Sequence, residues 1–468
     1  MRPWNDIDGS NGSRVSRRGT LKAMAAAGAL TGVAGCMGGD DTDDIEELHT
    51  TGPEDWDDFD GEELYIITES SSPEYQSYWQ GVASRFEHVT GASVTFEFAG
   101  HGDGYRARMA ELVQAGDPPE ISHMPINRAA TFAEQGHLAD HSEVVDYWED
   151  YWNESYEETH RMEIDGDDVY LPMHSNVPTL WRRSDVIPEA PETWEDEVQM
   201  AAEADEGEGG TRGYTTQVMI GQWQNDIMGF SRVWSNGGNL CQREGDDLRV
   251  VMDEGDNLDA WIEVMEHEQE LYQYSDDNLD MDVNDMNQRI AAEMSYASHW
   301  NGSYPKRNAI NAGADFAEEI RPSAPPTPDG DDLVSWGNIQ GQAVFEDANT
   351  EVALEFLKFL AHPENAMGYY FADDLHQSPL LGALTEDDEF IDRRNQMPDE
   401  WVFPEDHNTD WLDAGQDLAS EVNPPNEYAG EIAFDTVYAR VQRPVLVDGV
   451  DPEDAIRDVA DRVRGHID

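Results

Sequence analysis

Four tryptophans stand in turn-like surroundings rather than in helical stripes: Trp223 in "GQWQND", Trp234 in "WSNGGNL", Trp300 in "SHWNGSY" and Trp336 in "VSWGN". An indole face covers a flat patch of C–H, and short polar side chains bond hydroxyls. Grouped in a concavity, such residues capture a small polar molecule without altering it. Trp336 falls at a strand-to-loop end, where clefts open in α/β sheets. Trp234 is assigned to packing behind the Gly237-Gly238 turn, which leaves Trp223, Trp300 and Trp336 as binding candidates. Glu69, Ser70 and Ser71 follow the apolar run "LYIIT", and a carboxylate such as Glu69 accepts two strong hydrogen bonds. His376 and Gln377 precede Ser378-Pro379. Catalytic patterns are missing: the sequence holds no G-x-x-x-x-G-K-[ST], H-E-x-x-H or G-x-S-x-G. "DDNLDMDVND" (276–285) has the acids of a calcium loop, but Met281 stands where glycine is required and no glutamate closes it. Neither a metal nor a cofactor is expected.

One covalent reaction is prescribed by its neighbours. In "SRRGTLKAMAAAGALTGVAGC" (16–36), charge precedes a short bland run and small residues precede a cysteine, the layout of an export signal. Ala23 to Gly35 is far shorter than the roughly 20 residues of a spanning helix. Arg17-Arg18 with Leu21 and Lys22 resembles a twin-arginine (Tat) signal. Val33-Ala34-Gly35-Cys36 resembles a lipobox, whose cysteine is diacylated and becomes the first mature residue. With Cys36 carrying lipid, Cys241 is left alone as a small buried hydrophobe.

The 468 residues carry 100 Asp and Glu against 28 Lys and Arg, a formal charge of -72. Self-repulsion of that size strains a compact fold in dilute buffer. In molar salt the Debye length falls to about 3 Å and the repulsion is screened. Hydrophobic residues make up 38% and aromatics 10%, so the chain is read as folded and salt-adapted, of haloarchaeal type. Such a field excludes nucleic acid as a partner.

The elements that would position these residues alternate. Residues 37–61 are acidic and rich in turn formers, a flexible tether. Order is expected from "EELYIITES", a buried strand, followed by a helix over 74–87 with Tyr75, Tyr78, Trp79, Val82 and Phe86 on one stripe. "GASVTFEFAG" alternates as a second strand and 104–115 is helical again, the α/β signature. Thr193 opens a helix with Glu197 near a capping-box position. "NTEVALEFLKFLAHPENA" is helical up to a stop at Pro363. Asp451 caps a last helix with Pro452 at its first position and Ile456, Val459 and Val463 as its stripe. "RPSAPPTPDGDD" (321–332) is a proline-rich connection. Trp79, Trp181, Trp194 and Trp261 are read as core.

Six segments, in order, resemble the family 1 extracellular solute-binding proteins of ABC importers, the maltose-binding group. They are "SRFEHVTGASVTFEF" (84–98), "AGDPPEISHMPINRAATFAEQGHLADHSEVV" (115–145), "DGDDVYLPMHSNVPTLWRRSDVIPEAPETWEDEV" (165–198), "WSNGGNL" (234–240), "SWGN" (335–338) and "ALEFLKFLAHPENA" (353–366). Glu120 replaces a usual Asp, and Arg182 stands where Tyr or Phe is common. The resemblance implies an α/β, two-lobed periplasmic-binding-protein-like fold (type II) with solute in the cleft and closure by hinge motion. Signal and lipobox occupy 1–36, the tether 37–61, the N-terminal lobe 62–173 plus 322–362, and the C-terminal lobe 174–321 plus 363–468. Crossovers fall near Pro172 to Asn176, Arg321 to Pro328, and His362. It also implies a polar pair facing solute at Asn127 and Arg128, polar contacts from His174 and Asn176 after the hinge strand, and a stacking aromatic at Trp300.

The function so implied is that of a lipid-anchored, monomeric, non-enzymatic receptor on the outer face of the cell membrane. It captures a sugar or oligosaccharide for the permease subunits of an ABC importer. A glycerol phosphate, polyamine or metal chelate is the alternative solute; a phosphate would want clustered arginines, and Arg128 is the one loop candidate. A secreted glycoside hydrolase also needs aromatics and two carboxylates in a cleft, but the motif series belongs to binders.

Overall fold

The computed structural model describes residues 56–68, 73–99, 103–245, 247–330, 333–346, 349–372, 376–396, 415–416, 421–422, 426 and 428–467. β1 (Glu63–Thr68) buries Leu64, Ile66 and Ile67, as a strand covered on both faces must. α1 (Pro73–Thr90) turns Tyr75, Trp79, Val82 and Phe86 inward and leads to β2 (Ser93–Phe98), parallel to β1. α2 (Asp103–Ala115) returns the chain to β3 (Ile121–Pro125), on the other side of β1 and parallel to it. α3 (Ile126–Glu134) and α4 (Ser142–Trp152) follow, then β4 (Leu171–Ser175), every residue of which is buried.

At Ser175 the chain leaves this sheet. β5 (Pro178–Arg183) is the centre of a second, three-stranded sheet. α5 (Trp194–Ala204), α6 (Trp223–Ser235) and α7 (Gly255–Tyr272) intervene before its antiparallel neighbours, β6 (Ala297–Asn301) and β7 (Ile320–Ser323). β8 (Ser335–Trp336) lies beside α6. β9 (Gln340–Val344) re-enters the first sheet between β3 and β4, antiparallel to both. α8 (Thr350–Leu360) and α9 (Pro363–Phe371) cover that sheet, and β10 (Ser378–Pro379) adds to its edge, giving the order β10-β4-β9-β3-β1-β2. α10 (Ala429–Asp435), α11 (Val437–Val447) and α12 (Pro452–Ile467) close the chain, with α11 and α12 packed on α7.

The chain leaves the six-stranded sheet after Ser175 and leaves the three-stranded sheet after Ser323. The third expected crossover does not fall at His362. α9 packs on α1, and Ser378 and Pro379 pair with Ser175 and His174, so the chain stays with the six-stranded sheet through β10. The helix stops just before Pro363, as expected: α8 ends at Leu360, and Pro363 itself opens α9, where its missing N–H leaves no bond unmade. The expected tether is also too long. Trp56 lies edge-on to Phe359, ring centroids 5.2 Å apart, and to His362 at 5.3 Å. An aromatic that finds apolar partners pins the chain, whatever the acidity around it.

Thr193 caps α5 through a capping box, but its reciprocal partner is Asp196, at the third helical position. Glu197, the residue the sequence offered for that role, is fully buried on the helix's inner face. α12 is as expected: the Asp451 carboxylate accepts the Glu453 N–H at 3.0 Å, and Ile456, Val459 and Val463 are buried. Each of those side chains contributes about 1.5–3 kcal/mol relative to exposure. Trp79, Trp181 and Trp261 are buried, and Trp194 stacks on His267 at 4.6 Å. Cys241 is buried and forms no disulfide among the described residues. Among the described residues no helix is long and apolar enough to cross a membrane.

Candidate functional site

Asn127 and Arg128 sit at the start of α3, directly beyond the C-terminal end of β3. Asn127 is buried. The backbone there meets α10: a Cβ on Gly430 would lie 3.0 Å from Asn127 O and 2.9 Å from Thr131 Oγ1, so any larger residue would make these neighbours shift. Arg128 lies 5.6 Å over the Tyr105 ring, and burial pushes its guanidinium down to about 10.

The residues at the first crossing are tied together. The Tyr369 hydroxyl lies 2.6 Å from His174 Nδ1 and 2.8 Å from His123 Nε2, and the two imidazoles stack at 5.8 Å. Burial drives His174 well below its ordinary range, so it serves as a neutral strut rather than a charged contact. Asn176, its amide nitrogen 2.9 Å from His376 O and its oxygen 3.3 Å from His376 Nε2, joins β4 to the segment before β10. Gln377 is buried and its Oε1 has no hydrogen-bond partner among the described residues.

His376 reaches the second sheet. Its ring lies 4.4 Å from that of Tyr304, and a Cβ on Gly302 would fall 2.0 Å from its Nδ1. Gly302 also has φ +69°, a conformation costly to L residues. Gly302→Ala is expected to lower stability by about 1–3 kcal/mol, read by urea unfolding; a loss below experimental error would show that His376 moves aside freely.

Trp300 ends β6, paired with Thr179 across β5, and is 3% exposed with Nε1 unpartnered. It lines a cavity of about 30 Å³ together with Thr215, Thr216, Gln217, Gln224 and Arg232. The sequence missed these residues. Thr215 to Gln217 come from "GYTTQVMIG", which has no periodicity, and Gln224 and Asn225 follow Trp223 at the start of α6. A run of uncharged hydroxyl and amide side chains in so acidic a chain was the available signal. Trp223 opens α6; its side chain lies outside the described atoms, and Glu69, Ser70, Ser71 and Cys36 lie outside the described residues altogether.

Trp336 has a different setting from Trp300. Its ring packs on Phe230 at 5.6 Å and on Trp234 at 5.7 Å, and its backbone N–H donates to Ser231 Oγ at 2.8 Å. It is a core residue of α6's packing and leaves the contact set. Met281, in the calcium-like stretch, is buried and its carbonyl accepts from Gln217 Nε2 at 2.8 Å, while Asp282 caps a short helix, Val283–Gln288.

Behind the cavity lies a buried ionic cluster. Arg232 bonds Glu268 through Nη1, and through Nη2 lies 3.2 Å from Glu197 Oε1 and 3.2 Å from the Tyr214 hydroxyl. His267 Nε2 and His299 Nε2 approach the Glu197 oxygens at 2.9 and 3.1 Å. Burial would raise the Glu197 carboxyl, but the charge of Arg232 and the two imidazoles hold it well below the usual range. Burial pushes His299 down, so it is neutral. Glu268 also accepts from the Tyr438 hydroxyl and Gln442 Nε2, both at 3.1 Å. Nothing here resembles a nucleophile with its base; the groups bond one another and fix β6, α5, α6 and α7 around the cavity.

Residues 69–367 match the family model described as bacterial extracellular solute-binding protein. No curated protein matches the sequence. Solved structures share the fold at low identity. The GacH receptor of Streptomyces glaucescens, solved unliganded and with acarbose, superposes with a TM-score of 0.67 at 16% identity, covering 87% of this chain and 98% of its own. An ABC transporter solute-binding protein of Thermotoga lettingae bound with α-D-tagatose gives 0.65 at 16% over 87% and 100%. Maltose-bound MalE3 of T. maritima gives 0.65 at 15% over 86% and 99%.

Proposed function

We infer the function of this chain from its family: it belongs to the bacterial extracellular solute-binding proteins, which hold a solute and do not transform it. Its mixed α/β chain has their two-lobed fold. The lobes are those built on the six-stranded and the three-stranded sheet, and solute contacts on both favour the closed state, which a permease reads.

The solute is a sugar or oligosaccharide. Sugars are what the named neighbours hold, and Trp300 beside hydroxyl and amide side chains suits C–H faces and hydroxyls together. Delivery to ABC permease subunits, Tat export through Arg17-Arg18, diacylation of Cys36, a monomeric state and adaptation to concentrated salt complete the reading. They are supported by the leader sequence and the charge of -72. The observation that carries the reading is the family match across 69–367.

The test is a carbohydrate panel in concentrated KCl, followed by tryptophan fluorescence. One sugar is expected to shift the emission, saturably and without product, and Trp300→Ala to weaken it at least about tenfold, roughly 1.4 kcal/mol. A panel without any response would move the solute outside sugars. Release of product would overturn the binding class.

A further inference from the structure

The cavity behind Trp300 is about 30 Å³, far below the roughly 300–1,000 Å³ of small-molecule pockets. It has room for roughly two water-sized bodies. Five of its lining side chains, Thr215, Thr216, Gln217, Gln224 and Gln442, keep an oxygen with no hydrogen-bond partner among the described residues, and none of the five is more than 6% exposed. Two of the amides cannot turn round. Gln217 Nε2 donates to Met281 O and Gln442 Nε2 donates to a Glu268 carboxylate oxygen, so in each the orphaned atom must be the carbonyl oxygen. Buried oxygens without a donor are costly, and five around so small a volume mark a place for something positive.

The wall carries one charge of each sign: Glu268 and Arg232 both line the cavity and pair with each other. That charge is balanced, so the orphaned oxygens are the groups that would attract a cation. Trp300 Nε1 and Arg232 Nε are the opposing features, N–H groups without acceptors among the described residues. Among the described residues no three His, Cys, Asp or Glu gather as a metal site, which leaves divalent ions without the carboxylates they need.

We propose that this cavity binds one small monovalent cation, an alkali-metal ion or ammonium, through threonine hydroxyls and glutamine carbonyls. The cavity is the one whose Trp300 wall the solute reading also uses, and the two are tested separately. The test is thermal unfolding of the full chain in equal concentrations of sodium, potassium, ammonium and choline chloride. At least one small cation is expected to raise the midpoint saturably above choline, on the order of 5 °C. Thr216→Val and Gln224→Leu are expected to abolish that increment while their midpoints in choline stay near the parent's. Equal midpoints in all four salts would overturn the proposal, as would an increment that survives in both variants. Crystals soaked in thallium(I) acetate supply a second readout: an anomalous peak in the cavity is expected, and its absence overturns the site. Sugar binding measured in choline chloride reports on the solute reading separately. A methylammonium increment as large as that of ammonium would assign the cavity to an amine head group of a solute and overturn the free ion.

Discussion

Arg232→Met is expected to cost about 3–5 kcal/mol of unfolding free energy at neutral pH, read by urea titration in concentrated KCl. Arg232 is 4% exposed, and its two Nη groups are divided between two carboxylates that are themselves 1% exposed or less. Methionine fills much of the same volume, so the loss is electrostatic rather than a cavity. It strands Glu197 and Glu268 in the buried cluster without their shared guanidinium. Without that charge burial raises the Glu197 carboxyl, which then takes up a proton, so the deficit should shrink on acidification, which a packing defect would not do. Replacing both acids with glutamine in the same variant should recover most of the loss, because an uncharged hydrogen-bonded cluster is often as stable as a buried ion pair. A loss below 1 kcal/mol would mean that water reaches the cluster and that the lobe built on β5 is looser than described.

This cluster also shows where a sequence stops being legible. The stripe of α1, the alternation of β2, the Thr193 cap and the Asp451-Pro452 start depend on neighbours a few residues apart, and all appear in the structure. Glu197 satisfied a local rule almost as well as Asp196 does. Its actual partners are Arg232, His267 and His299, 35 to 102 positions away, and spacing along one helix carries no information about them. Trp300 and Trp336 pose the same difficulty. Both stand before Asn or Gly in short turn-like strings, yet Trp336 meets Phe230 and Trp234 because α6 crosses it, while Trp300 faces polar side chains. The crossover at His362 was misplaced for a related reason. β10 is only two residues long, too short for any period, and it alone keeps the chain on the first sheet past α9.

Surface and interior respond to salt differently. The acidic surface is screened by concentrated salt within a few ångströms, by about 3 Å at 1 M. The buried groups are not, and their bonds set how the fold responds to pH even where the surface is indifferent. The orphaned oxygens near Trp300 belong to this interior class, as do the imidazoles at the first crossing. Titration of the interior is therefore expected to be visible against a screened background.

His141 should give the largest such signal. It is fully buried between β3, β9 and α4, and its bonds define one tautomer: Nδ1–H donates to Ala139 O at 2.7 Å, and Nε2 accepts the Val344 N–H at 2.9 Å. A second proton would set N–H against N–H. Burial, partly opposed by the Ala139 carbonyl and by Asp140 and Asp168, pushes the imidazole down to about 4, against about 6.5 in the unfolded chain. Between those values the unfolded chain holds more protons, so stability rises with pH. The contribution is complete above about pH 6.5 and is lost as pH falls to about 4, a difference of about 3 kcal/mol. Glu421, which burial raises to about 6, slopes the other way, and His362, also pushed down to about 4 by burial, slopes the same way; the His141 part is isolated by comparison with His141→Gln. Glutamine can still accept from Val344 but does not titrate, so its fixed cost drops out of the slope. Unfolding free energies of the two proteins, measured by urea titration across pH 4 to 6.5, are expected to converge by about 3 kcal/mol toward the acid end. Parallel curves would place the His141 proton outside the folding equilibrium and with it the reading of β9's N–H as a hydrogen bond to an imidazole.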